Sequence, residues 1–367
     1  MATNKKLGFI YLGSQGNAGS YTKQFVDKLS PHFDVTVFVH SQYDFDHEKE
    51  VKVHELGYPF TDSILKDSFL RKPIRYFELI FFYLTTFLIL KKSGIRYIIN
   101  NPVTNLRLDK YFIQLCSLTK IHITSVVHDA TSHYDRREQY RDYVFINSDH
   151  LIFHNEHSQI TLVERLNIKT MYSLINFPWF HHYPSNNLEK EKSFLFIGHD
   201  RPSKGLDLLI DAYKDLQTEY NLIISGQITD ETKSRVKKIE NSGIKLIDKY
   251  LSDEEFMKLI SEASFVVLPY RHSYSNSSIH YNTYLNSKTP IICSDIPLFD
   301  QFKDEVHCIK FPKESLSGLK KALNKVSSLS SDKRNKLAEN GFNLLLESQK
   351  RIDDQILNFK NNIDHHN

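Results

Sequence analysis

The residues best suited to chemistry lie between Phe194 and Tyr213, in FLFIGHDRPSKGLDLLIDAY. The run reads as a buried strand over Phe194–Ile197, a glycine-led loop over Gly198–Gly205, and a helix whose apolar side is Leu206, Leu209, Ile210 and Tyr213. A strand that runs into a glycine loop opening a helix is suited to phosphate, because backbone N–H groups and the positive end of the helix dipole face the anion. Arg201 and Lys204 sit in the same loop, so two mobile cations can reach that anion. An ordinary strand-to-helix corner with solvated charges is the other reading of these residues.

A second constellation runs from Leu268 to Asp295. A strand ends at Pro269, and a loop containing Ser273, Ser275, Asn276, Ser277 and Ser278 precedes a helix expected from about Ile279 to Asn286. Serine and asparagine are good N-caps, and the N–H groups beside them form a second anion seat. Two helix N-termini together with Arg201 and Lys204 suit a diphosphate at the carboxyl edge of a sheet. Two well-capped surface helices are the alternative.

The first half offers Gly13, Gly16 and Gly19 between an apolar run, Leu7–Leu12, and a helix expected from about Ser20 to Leu29. The spacing approaches a dinucleotide fingerprint, but His40, Ser41 and Gln42 follow the next strand where a ribose would need a carboxylate. That argues against a nicotinamide site and leaves a loop facing sugar or phosphate, or a tight turn. His128 and Asp129 follow the strand Ile123–Val127, at the position where open α/β sheets bind ligands. His128 is read as hydrogen-bonding a substrate hydroxyl or carrying a proton, and otherwise as capping the next turn. His133 is a weaker candidate of the same kind.

The elements that position these groups alternate strand and helix. Further strands are expected at Val35–Val39, Arg96–Asn100, Leu151–His154 and Met171–Ile175, then at Leu222–Ser225, Lys245–Ile247, Phe265–Leu268, Pro290–Cys293 and Cys308–Lys310. This grammar implies parallel sheets. Between Asn176 and Ser193 the pattern lapses into a proline- and charge-rich link holding the single tryptophan, Trp179. The chain's 367 residues allow two domains: residues 1–182, residues 183–345, and a C-terminal helix over 346–367 expected to pack back on the first domain.

Hydrophobic content of 40% and charged content of 25% are those of a globular protein, and a formal charge of +3 gives no sign of a nucleic-acid partner. Cys116, Cys293 and Cys308 lie far apart in sequence, which predicts reduced thiols and neither a disulfide frame nor a zinc site. No metal site is expected. The N-terminus reaches a glycine turn before a signal-peptide hydrophobic region is complete, so the expected location is cytoplasmic. The most apolar stretch, Arg71–Lys92, carries an uninterrupted apolar run, Leu79–Leu90, too short to cross a bilayer at about 20 residues. It reads as a core helix. The alternative is peripheral contact with the inner face of a membrane through residues 66–92, with Lys66, Arg71, Lys72 and Arg75 drawn to anionic lipid.

Several stretches together resemble the retaining family-four glycosyltransferases of the group 1 type. FIGHDRPSKGLDLLIDAY resembles the family's strand–glycine–basic–Lys–Gly–helix signature, with Lys204 and Gly205 in register. LIISGQ, IKLIDKYLSDEEFMKLISEASFVVLPY and YLNSKTPIICSD resemble the elements that follow it. GSQGNAGSYTKQF, VVHDATSH and SDHLIFHNEHSQITL resemble the first domain's glycine loop, histidine strand and last helix. The chain departs from the family at His199, where an arginine is usual, and at Ser275 and Thr283, where paired glutamates are usual.

The resemblance implies a GT-B fold, with two Rossmann-like doubly wound parallel-sheet domains facing a cleft. It implies transfer of a sugar from a nucleotide-diphosphate donor to a glycan or lipid-linked acceptor in cell-surface polysaccharide synthesis, with retention and with no metal or cofactor. His128, Lys204 and Arg201 would be catalytic, and Gly13, Gly16, Gly198, His199, Ser277, Ser278, Ile279 and Thr283 would bind the donor. The missing glutamates keep a non-catalytic glycan- or partner-binding member open. A sugar-nucleotide epimerase of similar architecture is a further alternative.

Overall fold

The computed structural model describes residues 4–12, 17–39, 51–56, 69–101, 106–130, 138–179, 190–239, 243–272 and 277–364. Gly13, Gly16, Lys66, His133, Ser273, Ser275 and Asn276 lie outside them.

The chain forms two compact units. Met1–Trp179 and Gln349–Asn367 belong to one, and Phe180–Ser273 and Ser277–Ser348 to the other. Among the described residues the first unit holds a seven-stranded sheet of β1 (Lys5–Tyr11), β2 (Phe33–Val39), β3 (Lys52–Glu55), β4 (Tyr97–Asn100), β5 (His122–Val127), β6 (His150–Phe153) and β7 (Met171–Leu174). Every pairing is parallel, in the order β3-β2-β1-β4-β5-β6-β7. The second unit holds β8 (Glu191–Ile197), β9 (Asn221–Gly226), β10 (Ile244–Asp248), β11 (Ala263–Leu268), β12 (Ile291–Asp295) and β13 (Ile309–Pro312). Its order is β10-β9-β8-β11-β12-β13, again all parallel. The strand order turns back between β1 and β4 in the first sheet and between β8 and β11 in the second. Those two crevices are the switch points where open sheets take ligands. The molecule is GT-B in fold: two Rossmann-like parallel-sheet domains.

Central strands buried on both sides become continuous apolar runs. All six residues of β11, ASFVVL, are buried, as are the last five of β8 and of β1. Helical faces complete each core: Leu206, Leu209 and Ile210 with Leu319 and Leu323 in the second domain, and Phe82, Phe112 and Leu162 in the first.

Several expectations need correction. The strand β3 was not foreseen, because its four half-exposed edge residues carry no apolar pattern. The first helix begins at Asn17 rather than about Ser20. The helix expected over Ile279–Asn286 starts at Ser278 and passes into a π-helical turn over Asn282–Asn286. Thr283 Oγ1 donates to the Ile279 carbonyl at 2.7 Å and Asn282 Nδ2 to the Ser278 carbonyl at 3.1 Å. Side chains that take up those carbonyls loosen the backbone ladder there. Trp179 is 1% exposed, and its N–H donates to Gln349 Oε1 at 2.9 Å.

The apolar helix is 23 residues long, Arg71–Ser93, well beyond its apolar run. By length and composition it is the one candidate span among the described residues. Leu79, Phe82, Tyr83 and Leu90 pack into the core. The opposite face is neither polar nor covered: Phe77, Phe81, Leu84 and Leu88 are 69%, 67%, 51% and 64% exposed.

Candidate functional site

Three strand ends converge on the loop that follows β8. Gly198 and Gly226 close β8 and β9 in backbone conformations with φ of 135° and 134°, and a β-carbon on Gly226 would lie 2.0 Å from the Gly198 carbonyl oxygen. Only glycine fits there. The loop then makes a short 3₁₀ turn, Pro202–Lys204, before Gly205 starts the helix Leu206–Tyr213. The loop Gly198–Gly205 thus holds a 3₁₀ turn within it and runs directly into the helix, as the sequence had implied. Asp200 ties the loop to the end of β9, accepting from the Thr229 hydroxyl at 2.6 Å and the Thr229 N–H at 3.1 Å.

Arg271, just past β11, is a strut for this loop. Its N–H donates to the Ser203 carbonyl at 2.8 Å, its guanidinium to the Pro202 carbonyl at 2.8 Å, and Nη2 to Asp207 at 2.6 Å. Burial opposes ionisation of Asp207, yet the hydrogen bond and charge of Arg271 hold its carboxyl below the ordinary value. Arg271 is thus committed to structure, whereas Arg201 is exposed and Lys204 half-buried. The Lys204 ammonium lies 3.7 Å from the centre of the Tyr270 ring, a cation–π contact that holds it beside the β8/β11 crevice.

The structure brings Gly198 and Ile279 together: the Ile279 side chain stands 3.7 Å from where a Gly198 β-carbon would be. Ser277 is buried at the head of its helix without a side-chain cap bond, 3.5 Å from the Tyr270 hydroxyl. His199 is exposed. Thr283 is fully buried with its hydroxyl engaged by its own helix, so the structure does not present it to a ligand.

Sequence reasoning missed His280. It is 2% exposed, its ring packs against Tyr281, Phe299 and Phe302, and neither ring nitrogen has a hydrogen-bond partner. Burial, then the nearby Lys204 charge, push its pKa down to about 3. The only signal in the sequence was an imidazole among apolar helix positions.

In the first domain, His128 follows β5 and keeps part of its surface exposed. Its Nε2 lies 2.5 Å from Asn101 Oδ1, and the Asn101 amide donates to Thr22 Oγ1 at 3.2 Å. Asn101 is wholly buried just after β4, at the β1/β4 switch point. Tyr21 sets its ring edge against His128, with centroids 4.9 Å apart at 79°, and stacks on Phe177. The Tyr21 hydroxyl is 2.6 Å from His154 Nε2, and His154 Nδ1 is 2.7 Å from the Ile175 carbonyl. Burial and neighbouring His154 push the His128 pKa down to about 3; burial pushes that of His154 down to about 4. His128 is therefore neutral near pH 7, a hydrogen-bonding group rather than a ready proton carrier. Among the described residues no cluster of three or more His, Cys, Asp or Glu could hold a metal ion.

Residues 179–344 match the family model described as glycosyl transferases group 1. An uncharacterized glycosyltransferase of Methanocaldococcus jannaschii is 36% identical over 77 residues, 21% of this chain. That match spans only 22% of the relative's length. A sucrose-phosphate synthase from Thermosynechococcus elongatus superposes with a TM-score of 0.74 at 14% identity, over 99% of this chain and 100% of that one. HepE of Anabaena, solved with UDP-glucose, superposes with a TM-score of 0.69 at 13% identity, over 97% and 99% of the two chains. Identities this low speak to the fold alone.

Proposed function

We propose that this chain, whose residues 179–344 match the model of the glycosyl transferases group 1, moves a sugar from a nucleotide-diphosphate donor to the hydroxyl of a glycan or lipid-linked acceptor. The observation that carries this reading is the loop Gly198–Gly205, pinned at the β8/β11 switch point with Lys204 held beside it. Breaking the bond from the anomeric carbon to the donor oxygen leaves negative charge on the departing diphosphate. Lys204 and Arg201, with the backbone amides of the loop, would bind that charge as it develops; fixed dipoles and cations aimed at developing charge are the largest catalytic contribution in many enzymes. His128 would accept a hydrogen bond from a hydroxyl of the sugar or the acceptor. HepE was solved with UDP-glucose, which supports a UDP-sugar as the first donor to try. The resemblance supports retention of anomeric configuration without a metal, in cell-surface polysaccharide synthesis.

The uncovered face of the helix Arg71–Ser93 supports an acceptor at a lipid surface. Phe77, Phe81, Leu84 and Leu88 form its apolar stripe, and Lys72, Lys91 and Lys92 are exposed cations at its two ends. A helix of that kind lies in the interface of an anionic membrane. The location that follows is a membrane's cytoplasmic face.

Purified protein titrated with a panel of sugar nucleotides, read by thermal stabilisation and then by product formation, tests the reading. Turnover with one donor is expected. Glycan binding without turnover would favour the non-catalytic alternative, which the buried Thr283 motivates.

A further inference from the structure

We propose that Asn101 is a positioning residue that fixes His128 in one tautomer, with the proton on Nε2, so that Nδ1 faces substrate as a lone-pair acceptor for a neutral hydroxyl. The proposal rests on the reading of His128 given above and deepens it by naming the chemical class the subsite takes.

The geometry points one way. Asn101 Oδ1 can only accept, so across a 2.5 Å contact the proton belongs to His128 Nε2. The amide's other end, Nδ2, donates to Thr22 Oγ1 at 3.2 Å, so both ends of the side chain are engaged. Asn101 has no freedom to turn away: it is 0% exposed, and its own N–H donates to the Ile10 carbonyl at 3.0 Å. One group thereby links the end of β4 to the first helix, Asn17–Leu29, and to the residue after β5.

Tyr21 walls the imidazole on a second side and is itself held on three. Phe177 stacks on it, Phe25 packs beside it, and its hydroxyl is taken by His154. His154 donates from Nδ1 to the Ile175 carbonyl, so its Nε2 accepts and the Tyr21 hydroxyl donates. Ring position and tautomer of His128 are thus both set by buried neighbours. A lone pair at Nδ1 attracts an O–H donor and repels phosphate or carboxylate oxygen. The subsite accordingly selects a hydroxyl of a sugar or other polyol and rejects an anionic group.

The test is NMR of the full-length protein labelled with ¹⁵N at histidine, at pH 7.5. His128 is assigned by comparison with His128→Gln. A slowly exchanging Nε2–H with an unprotonated Nδ1 is expected in the wild type, retained in Asn101→Asp and lost in Asn101→Leu. In parallel, with UDP-glucose as probe donor, Asn101→Leu should raise KM about tenfold with a smaller change in kcat, and Asn101→Asp should recover most of the loss. Protonation on Nδ1, an imidazolium, or an Nε2–H unaffected by Asn101→Leu would overturn the proposal. Should Asn101→Leu fail to fold, the wild-type spectrum alone decides. Transfer activity plays no part in the spectrum, so an inactive protein with the expected tautomer would count against the transferase reading and leave the Asn101 assignment standing.

Discussion

Gly205 and Pro269 meet so closely that a β-carbon on Gly205 would stand 1.9 Å from the Pro269 carbonyl oxygen. Gly205 also holds a left-handed backbone, φ 67°, between the 3₁₀ turn and the helix Leu206–Tyr213. Gly205→Ala must either push β11's exit away or move the Lys204 turn. The left-handed conformation alone costs roughly 1–2 kcal/mol in a residue with a side chain, and the clash adds to it. Second-domain stability should fall by about 2–4 kcal/mol, and nucleoside diphosphate affinity at least tenfold. Urea unfolding and calorimetry measure both, and native values for either would contradict the geometry.

Lys204→Ala should weaken nucleoside diphosphate binding by about 10- to 100-fold, since hydrogen bonds to charged groups contribute about 1.5–3 kcal/mol. Lys204→Arg should recover part of this, because Tyr270 would still face a cation. Unchanged titration curves for the alanine variant would remove Lys204 from the site.

Acid should destabilise both domains. His128, His154 and His280 have folded pKa values near 3, 4 and 3 against an ordinary 6.5. Above about pH 6.5 both folded and unfolded states are neutral at these rings, and their contribution is fully present. As pH falls from 6.5 toward 4 the unfolded chain takes up protons that the fold refuses, so stability falls by up to about 1.4 kcal/mol per pH unit per histidine. Urea midpoints at pH 7 and pH 5 read this out. His280→Leu should flatten the dependence in the second domain and, by removing two unpartnered buried nitrogens, raise its stability at pH 7 by about 1 kcal/mol. An undiminished slope in that variant would show that His280 is not a source of it.

Vesicles of anionic phospholipid should carry the protein down in sedimentation, and vesicles of neutral lipid should not. The double change Phe77→Ser and Phe81→Ser alters residues 69% and 67% exposed, so folding should be preserved while sedimentation is lost. Equal recovery on neutral and anionic vesicles would exclude the electrostatic component assigned to Lys72, Lys91 and Lys92.

The alternation of elements was readable in the sequence because the strands at the middle of each sheet are unbroken apolar runs, β11 and β8 above all. The β8 loop was readable as well, since Gly198, Lys204 and Gly205 are local in the chain. What lies between distant positions was not. Arg271 as a strut, Gly226 against Gly198, and Asn101 with His128 join residues 28 or 27 places apart or more, and nothing local marks such pairs. His280 was hidden differently, as a polar ring carried inside an apolar helix face. Cys293 and Cys308 show the same limit: far apart by count, their sulfurs lie 3.8 Å apart in the fold.

The last helix, Ile352–Asp364, gives Ile352, Ile356 and Phe359 to the first domain's interior, all 0% exposed. Lys28 meets Asp353 at 3.0 Å and the Asn176 N–H donates to Gln355 at 2.8 Å. During synthesis the ribosome therefore finishes the domain it started second before it delivers the final pieces of the one it started first. The early portion must wait, incompletely closed, through the translation of more than 150 intervening residues, and chaperones would find their longest opportunity in that interval.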